Sequence, residues 1–436
     1  MLTGEESLRY QHVTRAVVAL TLVVAFAMPV AGSGGKNDPQ DDVAEWTIMV
    51  YLDADNDLEL NMFEDIAEME KVCSSDRIKV VILADSFEAY EGTHWYFVED
   101  GEVDIDLQAG IHDCDCGDIA GGCPGELNMG DGATLEYFVV NAASFAPAEN
   151  YMLVLWDHGA SWYGICWDDS SPLPEGGYDC LSMDEISDAV ASAAETFEHG
   201  AMSIITFDAC LMAAVEVAYE IRDLADYMVG AITTVARPGF EWEWLLNRLN
   251  GLDEATPYNV GTAIVDVFME YYEQCVGLGI GGYPYASESL IDLSNVSRLV
   301  EEGVADLASA LLDYAEAGGQ KSVIQYCSEV HTPQIQYLGE LDPFVDLGIF
   351  ASNLADSLPE LEEISERIME LLEDTVVYYD FVTTETGACM NTTGLSIYFT
   401  CAMNHLHEYG ELAFGEDTLW DEFLFALSES PHKASS

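Results

Sequence analysis

Short apolar runs and amphipathic stretches take turns along the first half of the chain. Residues 46–52 (WTIMVYL), 79–84 (KVVILA), 95–98, 151–156 (YMLVLW), 202–207 (MSIITF) and 227–232 are rich in β-formers. They are too short for helices and do not alternate, the pattern of strands buried on both faces. Residues 58–71, 133–145, 182–197 and 211–223 have helical spacing, and Ser182 with Glu185 three positions on forms a capping box. Strands alternating with helices predict an α/β fold on a mainly parallel sheet flanked by helices. From about residue 256 helices dominate, with strands expected at 288–292 and 395–399. Residues 107–132 and 160–181 read as loops.

The amino-terminal pattern is different. Arg9 and Arg15 precede an apolar run at 16–30 (AVVALTLVVAFAMPV), and small residues Ala31, Gly32 and Ser33 follow. That is the layout of an export signal, and the run is short of the roughly 20 residues a membrane span needs. Glu5 and Glu6 weaken the basic flank and leave an uncleaved anchor as the alternative. The expected division is a signal or anchor at 1–32, a linker at 33–44, an α/β core at 45–255 and a helix-rich part at 256–430 completing the same unit. The expected location is secreted or at the extracellular surface.

Charge narrows the functional classes. The 436 residues include 13 Lys and Arg against 80 Asp and Glu, a formal net charge of −67. Phosphate backbones and anionic lipid would be repelled, which excludes a nucleic-acid binder and leaves membrane contact only through an uncleaved N-terminal segment. Half the residues are hydrophobic, so a large core forms despite the charge. A salt-rich medium or bound Ca²⁺ would each offset the self-repulsion. Asp53, Asp55, Asn56 and Asp57 look like a fragment of a Ca²⁺ loop, but the glycine and terminal glutamate of an EF-hand are missing, so no metal site is assigned.

The 11 cysteines are an odd number, which in an exported chain implies disulfides and at least one leftover thiol. Cys166 and Cys180 are expected to form a disulfide closing the loop between them. His112, Cys114, Cys116 and Cys123 could hold Zn²⁺, with disulfides the favoured reading.

Open α/β sheets carry their chemistry at the carboxyl ends of strands. His158 follows YMLVLW and Cys210 follows MSIITF; the separation, 210 − 158 = 52, leaves room for one crossover helix. A right-handed crossover puts both residues at one sheet edge, where thiol and imidazole make a nucleophile–base pair. A helix starting at residue 211 would place Cys210 at its N-terminus and favour the thiolate. The Gly159 and Cys210 backbone N–H groups could together hold an oxyanion.

The blocks WTIMVYLDADNDLE (46–59), LWDHGASWYG (155–164), ITFDACLMAAVEVAYEI (205–221) and GLSIYF (394–399) resemble the clostripain family of cysteine peptidases, in order across roughly residues 46 to 400. The resemblance implies a caspase-like fold and an endopeptidase with His158 as acid and base and Cys210 as nucleophile. It implies an oxyanion hole from Gly159 and Cys210, and Asp208 lining a pocket that favours Arg, then Lys, before the cleaved bond. Segment 231–242 (AITTVARPGFEW) stands where the family has a pocket loop. Glu241 is its candidate second acid, and Arg237 would oppose a basic substrate if it faced the pocket. The spacing asks for no third catalytic residue. Protein or peptide substrates follow. The chemistry requires no cofactor, although some members depend on Ca²⁺. No Lys or Arg lies between Lys79 and Arg222, so an Arg/Lys-specific enzyme cannot process itself there, and an active single chain, or activation by removal of a segment elsewhere, is expected. A monomer is expected. The competing readings are a non-catalytic surface binding protein on the same scaffold and a cysteine peptidase of non-basic specificity.

Overall fold

The computed structural model describes residues 43–72, 75, 77–87, 92–99, 102–104, 127–170, 178–197, 200–278, 285–319, 344–383, 392–399 and 406–428. The apolar segment read as an export signal, the candidate zinc cluster and the cysteines at 73, 327, 389 and 401 lie outside them. The elements that matter here are, in chain order, β1 (Ala44–Ala54), α1 (Glu59–Glu70), β2 (Ile78–Ser86), β3 (His94–Glu99), β4 (Glu102–Asp104), α2 (Gly132–Phe145), β5 (Ala148–Trp156), β6 (Ile165–Asp168), β7 (Asp179–Leu181), α3 (Met183–Ala193), β8 (Met202–Asp208), α4 (Val215–Glu220), β9 (Ala225–Gly230), α5 (Trp242–Asn250), α6 (Pro257–Leu278), β10 (Tyr285–Asp292), β11 (Phe344–Asp346), β12 (Val376–Thr383), β13 (Ser396–Tyr398) and α7 (Trp420–Ser428).

Nine strands form one sheet in the order β12-β10-β9-β8-β5-β1-β2-β3-β4. The central five, β9-β8-β5-β1-β2, are all parallel, and the additions at both edges are antiparallel. The sequence pattern explains the architecture. Along β1, Met49 and Tyr51 enter one core with α2 and α3, while Ile48, Val50 and Leu52 enter a second core with α1, α5 and α6. A strand covered by helices on both faces has no polar side to show, hence the unbroken apolar runs. The mainly parallel, helix-flanked sheet expected from the sequence is therefore present.

The helix-rich remainder is not a separate layer. β11 and β13 pair, and the Ser396 N–H donates to the Ala213 carbonyl at 2.9 Å, just beyond the cysteine-bearing strand. Buried Glu216 accepts from the Tyr398 N–H and the Tyr409 hydroxyl, both at 2.7 Å. β12 was not expected; its short apolar run VVYY follows without a break on the helix that ends at Thr375, and the strand is half-exposed at the sheet edge.

The expected Cys166–Cys180 disulfide is not formed: both are free thiols. Strands β6 and β7 make a hairpin whose register puts Trp167, not Cys166, opposite Cys180. Cys166, at φ 58°, sits in an irregularity and turns fully into the core. Backbone pairing closes the loop where a covalent bridge was expected. Among the described residues, no helix is long and apolar enough to cross a membrane.

Candidate active site

Strands β5 and β8 run parallel with a register offset of 52 residues, from Met152 beside Ile204 to Trp156 beside Asp208. His158 and Cys210 lie two residues beyond that last pair, at the carboxyl ends of adjacent strands. The approach is close: a Cβ on Gly159 would lie 2.5 Å from the Cys210 carbonyl oxygen and 3.1 Å from its nitrogen. Only glycine fits there.

No helix begins at residue 211. Leu211 adopts a left-handed φ of 65°, its N–H donates to Thr233 O at 2.9 Å, and the Ala213 N–H donates to Ala231 O at 2.9 Å. The segment after Cys210 thus bonds to the chain beyond β9, and α4 starts only at Val215. The thiol gains no helix-dipole activation. Burial instead pushes the Cys210 thiol up, opposed by N–H groups of Val235 and Gly159 that donate to its sulfur. The Val235 nitrogen is 3.3 Å from Sγ.

His158 is held by a residue that spacing did not suggest. Its Nε2 lies 2.7 Å from Asp57 Oδ1. The same carboxylate is paired with the Arg237 guanidinium, which also donates to the Asp57 carbonyl at 3.0 Å. Arg237 therefore answers Asp57 and not the pocket acid. Behind the histidine, buried Asp157 accepts from Asn56 Nδ2 at 2.8 Å and from the Trp167 N–H. The loop after β5 is so fastened to the end of β1.

Asp208 closes β8 and is buried. Its Oδ2 accepts from the Phe240 N–H at 2.9 Å, and its Oδ1 has no hydrogen-bond partner. Gly239, at φ 59°, lies so close that a Cβ would be 2.6 Å from Oδ2. Burial pushes the Asp208 carboxyl up to about 7. Glu241 is engaged elsewhere: its carboxylate caps α5 through the Trp244 N–H. Two further buried acids feel the Asp208 charge, Asp65 on α1, whose carboxylate accepts from the Trp156 indole N–H at 2.7 Å, and Glu288 on β10. Glu288 is fully buried, neither carboxylate oxygen has a hydrogen-bond partner, and burial and then the Asp208 charge push it well up. Its sequence context, YASESLID, reads only as a strand.

The sequence profile of the clostripain family matches residues 50–426. The chain belongs to the clostripain family. Clostripain from Hathewaya histolytica is 32% identical over 243 residues, which cover 50% of this chain and 44% of that protein. The chain thus matches less than half the length of that curated relative. Two solved structures have a similar fold. One is a secreted C11 cysteine protease from Bacteroides thetaiotaomicron in complex with an irreversible peptide inhibitor, with TM-score 0.61 and 20% identity over 87% of this chain and 99% of that one. The other is an inactive zymogen C11 protease from Parabacteroides distasonis, with TM-score 0.60 and 17% identity over 86% and 98%. The shared fold is caspase-like. The family match runs from within β1 to α7, so it takes in the histidine strand, the cysteine strand and the helix-rich part together.

Proposed function

We propose that this clostripain-family chain is an exported cysteine endopeptidase that cleaves after arginine, with lysine second. The observation that carries the specificity is the buried Asp208 oxygen without a partner, two residues before Cys210. A buried carboxylate lacking countercharge is costly, and a guanidinium supplies charge and paired donors at once. Glu288 is the second acid of this reading, in place of Glu241. Two carboxylates favour the planar fork of arginine over the point charge of lysine. The apolar run at 16–30 supports export, and a relative of like fold is described as secreted.

In this mechanism His158 takes the thiol proton as Cys210 Sγ attacks the peptide carbonyl carbon. The Gly159 and Cys210 N–H groups hold the oxyanion. Collapse breaks the C–N bond, and His158 gives its proton to the leaving amine. His158 then takes a proton from water, whose oxygen attacks the thioester; the carboxylic acid leaves and the thiol is restored. Asp57 occupies Nε2, so Nδ1 is the ring nitrogen that carries these transfers.

The test is hydrolysis of paired fluorogenic peptides with Arg, Lys, Asp or Leu before the bond, by the mature chain and its Cys210→Ala variant. Arg cleavage lost in the variant supports the proposal. Faster cleavage after Asp or Leu overturns the specificity, and no cleavage at all favours the binding-protein reading.

A further inference from the structure

Three aromatic rings reach the surface in a row beside the histidine loop. Tyr163 and Trp167 stack with centroids 5.9 Å apart and ring planes 17° apart, and the Tyr178 ring lies 6.0 Å from that of Trp167. Tyr163 is 42% and Tyr178 67% exposed, with Trp167 half-buried between them. None of the three belongs to either buried core. Their neighbour Trp162 turns inward instead and meets Tyr398 and Tyr409 edge-on at 5.3 and 5.0 Å. Single exposed apolar side chains are ordinary, but rings in contact make a patch, and such patches mark binding surfaces.

The catalytic loop fixes where this patch stands. Gly159 bridges Ile165 in antiparallel pairing, and the Ala160 N–H donates to the Gly164 carbonyl at 2.9 Å. The Trp167 N–H donates to the Asp157 carboxylate, and the Trp167 carbonyl accepts from Asn56 Nδ2 at 3.1 Å. The backbone that carries the rings is thus bonded to both residues flanking His158. The sheet order decides which part of a substrate passes over it. β9 and the segment after it, which covers Asp208, lie on one side of the cysteine strand β8, and β5 with His158 lies on the other. In the proposed reaction Asp208 takes the residue before the cleaved bond, and His158 gives its proton to the leaving amine. The chain after that bond therefore departs on the histidine side, where the β6–β7 hairpin and its rings stand.

We propose that Tyr163, Trp167 and Tyr178 bind the residues that follow the cleaved bond and favour an aromatic or large aliphatic side chain there. The inference rests on the peptidase reading of the site. Stiff rings offer apolar area and offset or edge-on stacking at little cost in side-chain entropy. An acidic residue is rejected, because Asp169 and Asp179 follow closely on Trp167 and Tyr178 in a chain that is strongly anionic throughout. This preference is separate from the one for arginine, since the two act on opposite sides of the cleaved bond.

The test uses internally quenched peptides that share one Arg-containing segment and differ only after the bond, with Phe, Leu, Ala or Asp in the first two positions. For the mature chain, kcat/KM should be roughly threefold to tenfold higher with Phe than with Ala, and lowest with Asp. Tyr163→Ala and Tyr178→Ala should each bring the Phe-to-Ala ratio toward one, while Phe425→Ala, at an exposed position of α7, should keep it. The ratio is taken within one enzyme, so loss of folded protein does not move it. Equal cleavage of Phe and Ala peptides by the wild type overturns the proposal even if the variants fail to fold, and leaves the arginine reading standing. An unchanged ratio in both folded variants overturns the assignment to these rings. A second arm needs no turnover: an Arg peptide with benzoylphenylalanine at the second position after the bond is irradiated with the Cys210→Ala chain. Adducts mapped by mass spectrometry to Tyr163, Trp167, Tyr178 or their immediate neighbours support the proposal. Their absence overturns it, even where the wild type cleaves no peptide and the peptidase reading has failed separately.

Discussion

Asp57 Oδ1 and His158 Nε2 lie 2.7 Å apart, across 101 residues of chain, and Arg237 grips the other oxygen of the same carboxylate. This acid orients the imidazole from the end of a neighbouring strand. An orienting carboxylate fixes which ring nitrogen carries the proton and steadies the imidazolium.

Replacing Asp57 with Asn keeps the size but favours the other tautomer. The expected loss in kcat is roughly tenfold to hundredfold, with KM for an Arg peptide little changed. Arg237→Ala should give a smaller loss in the same direction. Steady-state kinetics of both variants check this, and an effect confined to KM would place Asp57 in substrate binding.

Asp208 makes the pH dependence specific. Its folded value is raised from 3.8 to about 7 by burial, so the folded state holds a proton that the unfolded chain has already released between those values. Stability is fully favoured below 3.8, falls as pH rises, and carries the full cost above 7. That cost is roughly 4 kcal/mol at complete linkage. Asp208→Asn should therefore be more stable than the wild type at pH 8 and nearly equal at pH 4. The same variant should lose roughly tenfold to hundredfold in kcat/KM for Arg peptides. In the wild type, Arg cleavage should fall as pH drops through about 7, with no matching limb for a Leu peptide.

Cys210 should behave as a quiet thiol in the free enzyme. Burial holds it above the ordinary thiol range, so alkylation by iodoacetamide should be slow at pH 7 and still rising past pH 9. Mass spectrometry of the labelled peptide measures the rate. Rapid labelling at pH 6 would mean that the resting thiolate is stabilised by something other than these N–H donors.

The purified active enzyme should carry no self-made cut between His158 and Cys210. No Lys or Arg lies between Lys79 and Arg222 to accept one. Intact-mass analysis of wild-type and Cys210→Ala proteins decides it. A nick there in the wild type alone would overturn the basic specificity.

The parallel core was legible because burial on both faces writes itself into single strands. The 52-residue spacing carried the pairing of His158 with Cys210, since a parallel register is a constant offset. What stayed hidden depends on backbone turns or on distant partners. Leu211 looks helical in its neighbourhood, yet its left-handed φ and the bond to Thr233 divert the chain. Cys166 and Cys180 have a plausible separation for a bridge, but the hairpin register sends one thiol inward. Glu288 carries no local mark of its nearness to Asp208, and Glu241 is drawn away by a helix start that also needs an acid. The acids of DADND were noticed, but their partners lie on other strands.

That pentapeptide is also read in a fixed phase. Residues 53 and 55 turn to the buried carboxylates of Asp85 and Asp168, residue 56 to Asp157, and residue 57 to His158. Inserting or deleting one residue there would reassign every side chain at once. The inward acids would meet the wrong donors and the histidine would lose its acid in the same event. Point changes in this stretch cost one role each, whereas a shift in length costs them all.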